Sequence, residues 1–440
     1  MIDIKFIREN TKELRKALKD RGVDFDLERF LEVDEKRRSK IKEVDDLRSR
    51  HNEFSDEAAK LKGGEKDKKI EDSKKLKANL SNLEAELRSL EEEFTRLMYK
   101  VPNVPSEDVP IGKDESENKV LKEWGKIPKF SFDSKDHVEI GEKLGIIDIE
   151  RAAKVSGARF GYLKGEAALL EFALIQFTFQ TLTSREVVKK IADSIEKDYP
   201  ATPFIPVVPP VMIRPEVFKK MARLSEEDKE ERYYLEKDDL YLVGSAEHTM
   251  GSMYMDEIFE EERLPQRYLG FSTSFRREAG SYGKDTRGML RVHQFDKIEM
   301  ESFTLPEYGR KEHEFFIAVQ EYLMQKLKIP YRVVMLCTGD MGKPNVRQVD
   351  IEAWMPGQGK YRETHTADFM GDFQARRLMT RVRRRGGNLE FVHMNDATTF
   401  AIGRTLIAIL ENYQEEDGSV VIPKVLQPYL HGIDRIKRNT

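Results

Sequence analysis

The stretch FRREAGSYGKDTRGMLRVHQFDKIEM, residues 275–300, decides the fold. It begins with Arg276 and Glu278, continues through a segment with glycines at positions 280, 283 and 288, and ends in an alternating run. The pattern predicts a strand, a mobile loop and a returning strand. Because every second residue of a strand faces the same side, Arg276 and Glu278 are expected to meet one ligand.

Three side chains of the returning run stand four residues apart, namely Arg291, Phe295 and Glu299. This even spacing predicts that they share one face, where Phe295 stacks on a purine while Arg291 and Arg276 hold phosphate oxygens in their planar guanidinium forks. The pattern therefore favours a nucleotide site. The alternative is an ordinary hairpin with cross-strand charge pairs.

The same stretch closely resembles motif 2 of the class II aminoacyl-tRNA synthetases in its seryl-tRNA synthetase form, and the resemblance runs through the chain from MIDIKFIREN onward. It implies an α+β fold in which helices flank an antiparallel mixed sheet and an N-terminal antiparallel coiled-coil arm is attached. It also implies that ATP is a substrate and that Mg²⁺ is a cofactor. The implied ATP-binding residues of this stretch are Arg276, Glu278, Arg291, Val292 and Phe295.

Composition limits what kind of protein this is. The 440 residues exceed one ordinary domain, and a formal net charge of -4 gives no overall attraction to nucleic acid, so any RNA site must be a local patch. The single cysteine, Cys337, permits no internal disulfide and suits a reducing cytosol. No stretch approaches the roughly 18 apolar residues of a spanning helix, so we expect a cytoplasmic protein without a membrane partner.

Residues 1–100 are predicted to form a helical domain with a projecting arm. After a short helical lead-in that ends at Gly22, apolar residues recur every three or four positions over 44–61 and over 76–97, on either side of KGGEKDKK. Two helices of about 35 residues would give an arm about 50 Å long. Residues 60–77 hold eight lysines and four acids. Such a tip either attracts RNA or only solvates an exposed turn.

By resemblance, this arm binds the long variable arm of the cognate tRNA. The proline-bearing, acidic stretch 101–119 has no periodicity and predicts a linker, which leaves 120–440 as the catalytic domain. Residues 172–199 are predicted to form one amphipathic helix, followed by an apolar strand that Pro209 and Pro210 interrupt. This region resembles motif 1, which implies a homodimer. The stretch 221–243, MARLSEEDKEERYYLEKDDLYLV, departs from the family pattern.

The resemblance also assigns the amino-acid site. It implies that Ser245, Glu247, Arg276, Glu299 and Thr398 contact L-serine. The family usually has threonine at position 245. Positions 396 and 397 hold aspartate and alanine where asparagine and glycine are usual, and residues 364–370 replace a stretch rich in serine and cysteine.

For the triphosphate, the resemblance implies that Glu363 and Thr366 bind ATP and its Mg²⁺, and a hard cation prefers such oxygen ligands. Arg404 is placed in the first turn of a helix, where phosphate is attracted. Arg276 and Arg404 are the predicted catalytic residues. Two histidines, His248 and His365, suggest zinc only weakly, since no cysteine ligand is near them. Six arginines over 376–385 indicate either phosphate contact or a solvated face.

The sequence thus predicts ATP-dependent charging of tRNA(Ser) with L-serine through a seryl-adenylate. One alternative is a paralogue that loads an amino acid onto a carrier protein or small metabolite, against which the intact arm argues. Another is a non-catalytic RNA-binding regulator on the same scaffold, against which the joint presence of the nucleotide-site residues argues.

Overall fold

The computed structural model describes residues 1–279 and 288–438, and the chain divides into two compact units, Met1–Pro102 and Asn103–Thr440. The predicted loop glycines Gly280 and Gly283 lie outside the described residues. Within the described ranges, no helix has both the length and the apolar character needed to cross a membrane.

The first unit is helical. Its helices are α1 (Ile4–Glu9), α2 (Thr11–Asp20), α3 (Leu27–Lys60) and α4 (Gly64–Met98). The apolar stripe of the lead-in is buried at Ile7, Leu14 and Leu18. Helices α3 and α4 have 34 and 35 residues and are joined at Gly63, whose φ of +66° suits glycine. The predicted helical hairpin is confirmed.

The hairpin is held by its apolar seam and fastened at its base. The Phe30 and Phe94 rings stack with centroids 5.4 Å apart, and all predicted seam positions are buried or half-buried. At the base, the Arg8 guanidinium donates to both oxygens of the buried Asp34 carboxylate at 2.7 and 2.8 Å. Exposed ion pairs such as Arg48–Glu84 contribute at most about 1 kcal/mol each.

The second unit combines strands and helices. Its described strands are β1 (Lys119–Trp124), β2 (Ile147–Asp148), β3 (Tyr162–Leu163), β4 (Ile205–Val207), β5 (Met212–Ile213), β6 (Tyr234–Leu235), β7 (Leu240–Leu242), β8 (Ile258–Glu260), β9 (Gln266–Phe275), β10 (Gln294–Thr304), β11 (Tyr331–Met335), β12 (Arg347–Met355), β13 (Lys360–Gly371), β14 (Arg381–Arg383), β15 (Leu389–Phe391), β16 (His393–Ala401), β17 (Val420–Val421) and β18 (Arg435–Ile436). Its described helices are α5 (His137–Leu144), α6 (Ile149–Ser156), α7 (Glu166–Leu182), α8 (Arg185–Ile195), α9 (Pro215–Lys220), α10 (Glu226–Glu230), α11 (Glu247–Met250), α12 (Gly309–Leu327), α13 (Phe373–Leu378) and α14 (Ile402–Asn412).

The largest sheet in the described part of the chain has the order β1-β11-β12-β13-β16-β10-β9-β4. Every neighbouring pair in it is antiparallel except β4 with β9, which is parallel. Apolar residues of α7, α8, α12 and α14 pack on one face and form the main core. In β10, Ile298 and Met300 belong to that core. Glu299 and Glu301 alternate with them and therefore point to the opposite face. The predicted antiparallel mixed sheet flanked by helices is confirmed.

Two local predictions are wrong. Strand β9 ends at Phe275 and β10 begins at Gln294, so Arg276, Glu278 and Arg291 lie beyond the strand ends; Glu278 has a φ of +53°, outside the β region. The single helix predicted over 172–199 is two helices, α7 and α8. They separate because Ser184 caps the second one by accepting a hydrogen bond from the Val187 amide.

The prolines at 209 and 210 separate two strands, as predicted. Strand β4 lies at the edge of the large sheet, whereas β5 pairs with β7 in a different sheet. Proline lacks the N–H that a central strand needs, and it is tolerated at an edge or a strand end.

A buried ion pair joins β9 to α12. The Arg267 guanidinium donates to both oxygens of Glu312 at 2.7 and 2.8 Å and also to the carbonyls of Pro200 and Thr202. The Tyr199 hydroxyl donates to the same carboxylate at 2.7 Å. All polar side-chain atoms of Arg267 and Glu312 thereby have hydrogen-bond partners within the protein.

We expect Glu312→Ala to lower the free energy of unfolding by about 3–5 kcal/mol, because it leaves the guanidinium of Arg267 buried and uncompensated. Urea unfolding followed by tryptophan fluorescence measures this, since both tryptophans, Trp124 and Trp354, lie in the second unit. The matched control is Glu314→Ala on the same helix, which breaks an exposed pair and should cost less than about 1 kcal/mol. Equal losses in the two variants would contradict the prediction.

Candidate active site

A cavity of about 400 Å³ opens on the polar face of the large sheet. It is lined by residues from β10, β12, β13 and β16, from the segments that follow β9 and precede β10, and from the start of α14. The sequence-predicted site residues that line it are Glu247, Arg276, Glu278, Arg291, Val292, Phe295, Glu363, Thr366, Thr398 and Arg404. The remaining two, Ser245 and Glu299, are buried beside it.

The residues that were predicted to bind the amino acid form one hydrogen-bonded group. The Ser245 hydroxyl lies 2.9 Å from Oε2 of Glu247 and 3.0 Å from Oε1 of Glu299, and its single proton serves one of the two. The Thr398 hydroxyl donates to Oε1 of Glu299 at 3.2 Å, and the Lys297 ammonium contacts the same oxygen. Two carboxylates ringed by hydroxyls suit a ligand that brings an ammonium and a hydroxyl.

Below this group stands Arg223, which the sequence analysis left unassigned. Its Nη2 atom lies 2.9 Å from Oδ2 of Asp368 and 3.3 Å from Oδ2 of Asp396, and its Nε atom lies 3.4 Å from Oε1 of Glu247. Asp368 and Asp396 are cross-strand partners on β13 and β16. Arg223 is therefore a cation that contacts all three of these acids, which lie on separate elements.

The charges of this region are strongly coupled. Burial alone disfavours the ionised form of Glu247, but the charges of Arg223 and Lys297 outweigh it and hold the pKa of that carboxyl well below its usual range. Burial raises the pKa of Asp396 well above its ordinary value, and Glu247 and Asp368 raise it further. Glu247 is thus ionised near neutral pH and available to an ammonium, whereas Asp396 tends to hold its proton.

The other end of the cavity presents cations and an aromatic ring. The Arg276 guanidinium donates to the Gly244 carbonyl at 3.2 Å and lies 5.3 Å from the centroid of the Phe295 ring. Arg404, in the first turn of α14, donates to the Glu363 carbonyl at 3.0 Å and lies 3.2 Å from its Oε2 atom. The charge of Arg404 lowers the pKa of the adjacent Glu363 carboxyl. This end offers a stacking ring, fork-shaped donors and a helix N-terminus to a nucleotide.

Oxygen donors for a hard cation surround Glu363 and Thr366. The cavity wall also carries Asp350, Glu352 and Asp368, and the Thr366 hydroxyl accepts a hydrogen bond from Gln348 Nε2 at 3.1 Å. In the described residues, no group of three or more His, Cys, Asp or Glu side chains is arranged to hold a metal by itself. Carboxylate and hydroxyl oxygens are the donors that Mg²⁺ prefers, so the side chains of Glu363 and Thr366 fit such an ion chemically.

The two histidines singled out for zinc are engaged elsewhere. His248 Nδ1 accepts from the Gly244 amide at 3.2 Å, and His365 Nδ1 pairs with the Thr364 hydroxyl at 2.8 Å. Burial lowers the pKa of His248 well below its usual value and that of His365 to about 3, so both rings are neutral at neutral pH. They behave as buried hydrogen-bonding groups.

The arginine-rich segment 376–385 faces acids. Arg383 pairs with Glu260, Arg385 with Glu262, and Arg384 with Glu307 at 2.8 Å. These ion pairs favour the solvated-face interpretation over phosphate contact.

Sequence reasoning missed several groups of the site, among them Arg223, Lys297 and Asp368. A signal existed for Lys297, because Phe295, Lys297 and Glu299 follow the two-residue period of β10. Asp368 continues the same period from Thr366 on β13. For Arg223 the only signal was that it stands in the stretch that departs from the family pattern.

Comparisons with known proteins agree with this geometry. Residues 231–413 match the model of the tRNA synthetase class II core domain (G, H, P, S and T), and residues 1–105 match that of the seryl-tRNA synthetase N-terminal domain. The chain is 43% identical over 440 residues to the serine--tRNA ligase of Dictyoglomus thermophilum, covering 99% of both chains. It is 40% identical over 437 residues to that of Rubrobacter xylanophilus, covering 98% of both chains.

Solved structures give the same result. The seryl-tRNA synthetase of Pyrococcus horikoshii complexed with ATP superposes with a TM-score of 0.88 at 38% identity, and the match covers 100% of both chains. The cytoplasmic serine-tRNA ligase of Naegleria fowleri in complex with AMP superposes with a TM-score of 0.85 at 30% identity, covering 100% of this chain and 99% of that one. The chain therefore belongs to the seryl-tRNA synthetase family.

Proposed function

We propose that the protein is a serine--tRNA ligase that charges tRNA(Ser) with L-serine at the expense of ATP. In the first step an oxygen of the serine carboxylate attacks the α-phosphorus, the bond to pyrophosphate breaks, and seryl-adenylate forms. In the second step a terminal ribose hydroxyl of the tRNA attacks the seryl carbonyl. The bond between the seryl carbonyl carbon and the adenylate phosphate oxygen breaks, the proton of the hydroxyl passes to the released phosphate or to solvent, and AMP leaves.

The observation that carries the proposal is the placement of two chemically distinct ends in one cavity. Glu247, with Ser245 and Glu299 beneath it, offers carboxylates and hydroxyls to an α-ammonium and a small hydroxyl side chain. Arg276 and Arg404 offer positive charge to the triphosphate at the other end. Catalysis by this arrangement rests on positioning and on stabilisation of phosphate charge, which require no general base.

The nucleotide residues divide the remaining roles. Phe295 would stack on the adenine, while Glu278, Arg291 and Val292 line the space around it. Glu363 and Thr366 would hold Mg²⁺, which neutralises charge on the phosphates when bound.

Pyrophosphate exchange across the twenty amino acids without tRNA, followed by charging of tRNA, separates the alternatives. A serine--tRNA ligase exchanges with serine and then charges tRNA(Ser). A carrier-loading paralogue exchanges but leaves tRNA uncharged, and a non-catalytic RNA-binding regulator does neither.

The proposal extends to assembly and compartment. A homodimer is supported by apolar side chains exposed on α7 and around β4, among them Phe172 and Val208, which is 88% exposed. Sedimentation equilibrium measures the assembly directly.

We further assign the arm within 1–100 to tRNA binding, 101–119 to a linker and 120–440 to catalysis. The cytoplasm is the proposed compartment, since the single cysteine calls for no oxidising environment.

Serine is expected to be activated in preference to threonine, and threonine in preference to alanine. Alanine leaves the buried polar groups around Thr398 and Glu299 without a partner, which costs about 10⁴-fold or more in kcat/KM. Threonine differs by one methyl group, which a pocket rejects by only about 10 to 200-fold. Adenylate formation with each amino acid measures both ratios. A preference for threonine would overturn the choice of serine and leave the family assignment intact.

A further inference from the structure

The floor of the cavity is a buried charge cluster whose acids outnumber its cations. Arg223, Glu247, Lys297 and Asp368 reach the cavity surface, while Asp396 lies behind Arg223. The reaction steps above assign no task to Arg223, although it lies beside the carboxylate that would bind the ammonium of the amino acid.

The acids stand in a row across the sheet. Asp368 on β13 is the cross-strand partner of Asp396 on β16, which in turn is the partner of Glu301 on β10. All three are buried, and neither carboxylate oxygen of Glu301 has a hydrogen-bond partner. Arg223 is the cation that contacts the first two of them, at 2.9 and 3.3 Å.

Other charged groups around the row do not replace that cation. Lys297 contacts Glu299, one step further along β10. Arg276 is held by the Gly244 carbonyl, and Arg232 lies near it behind Gly244. His248 is uncharged, because its Nδ1 atom accepts a hydrogen bond and its pKa is lowered by burial. Removing the charge of Arg223 would therefore leave Glu247 and Asp368 without their shared counter-ion.

We propose that Arg223 is a specificity-determining residue, which makes the amino-acid end of the cavity select a neutral side chain and reject one that ends in an ammonium. Its guanidinium neutralises Glu247 and Asp368, which line the amino-acid end of the cavity, and repels a second cation. Without it, the surplus carboxylates attract a cationic side chain of the same size as that of serine. This inference rests on the proposed function, because it concerns which amino acid is activated.

The probe is 2,3-diaminopropionate, in which an ammonium replaces the hydroxyl of serine on the same carbon skeleton. The measurement is pyrophosphate exchange with serine, 2,3-diaminopropionate and alanine, each as kcat/KM. In Arg223→Gln the ratio of 2,3-diaminopropionate to serine should rise at least about tenfold, since one unit charge is removed from a partly buried site. In Arg223→Lys, the charge-conserving control, the ratio should stay near that of the wild type.

Alanine distinguishes a change in charge selection from a general loss of specificity. The ratio of kcat/KM for alanine to that for serine should not change in Arg223→Gln. An equal rise for alanine, or an unchanged 2,3-diaminopropionate ratio in folded Arg223→Gln, overturns the proposal. If Arg223→Gln does not fold, Asp368→Asn decides. It removes the acid that lies nearest to Arg223, at 2.9 Å, and leaves the guanidinium with one counter-ion fewer. The 2,3-diaminopropionate ratio should then fall, and an unchanged or higher ratio overturns the proposal.

Different results would contradict the proposed function and the role of Arg223. Wild-type protein that does not exchange with serine contradicts the proposed function itself. Wild-type protein that exchanges with serine, together with variants that keep its ratios, contradicts only the role of Arg223.

Discussion

Arg404→Ala and Arg276→Ala are each expected to slow seryl-adenylate formation by about 100-fold or more. Both guanidiniums face the end of the cavity assigned to the triphosphate, and a single donor that stabilises developing charge is worth about 3 kcal/mol. Arg404 adds to the positive end of α14, whose first turn it occupies. Pyrophosphate exchange measures the loss, and far-ultraviolet circular dichroism establishes that each variant is folded.

The matched control is Arg385→Ala, which removes an exposed arginine that pairs with Glu262 and lies outside the cavity lining. Its exchange rate should equal that of the wild type. Arg404→Lys tests the geometry of the fork, because lysine keeps the charge and loses the bidentate donors. Wild-type exchange in folded Arg404→Ala or Arg276→Ala would remove these residues from the catalytic assignment.

Shortening the arm should abolish tRNA charging and spare serine activation. Replacing residues 43–83 by a Gly-Ser-Gly bridge removes the basic tip and keeps the Phe30–Phe94 stack and the Arg8–Asp34 pair at the base. No residue that lines the active-site cavity lies in the deleted stretch. We expect charging to fall by at least about 100-fold, since an electrostatic RNA site is lost, while pyrophosphate exchange stays within about twofold.

A milder variant tests the positive charge of the tip without changing the length of the arm. Lys62, Lys66 and Lys68 are exposed at the tip, and changing all three to glutamate keeps the length of the arm. The KM for tRNA should rise, and its dependence on salt should weaken, because fewer phosphates are neutralised. If the shortened protein charges tRNA as efficiently as the full chain, the arm has another task.

Periodicity identified the helical hairpin because its seam repeats over two long helices, where the pattern is strongest. Strand ends were harder to place. The alternation in residues 275–299 predicts Arg276 and Arg291 on strands, yet regular pairing stops at Phe275 and Gln294. Beyond that point only single contacts continue, such as the Arg276 amide with the His293 carbonyl at 3.0 Å. Alternation gives the direction of side chains and contains no signal for this change.

The composition of the site was partly readable. Residues such as Ser245, Glu299 and Thr398 come from distant parts of the sequence, and the resemblance to a known motif brought them together before any geometry was known. Arg223 could not be found that way, because it stands where the resemblance breaks down. Its role depends on the partnership with Asp368 and Asp396, which only strand register reveals. A buried charge is interpretable once its counter-ions are known.

The edge strand β4 also bears on how the protein avoids uncontrolled association. An open sheet edge is a template for strand addition and fibrous aggregation, and natural proteins block it with proline. Here Pro206 lies within β4, and Pro209 and Pro210 follow it, so the outer edge lacks the regular series of N–H donors that an incoming strand requires. The exposed apolar side chains at this edge can therefore bury surface against a second folded copy without offering a continuous backbone ladder to an unfolded one.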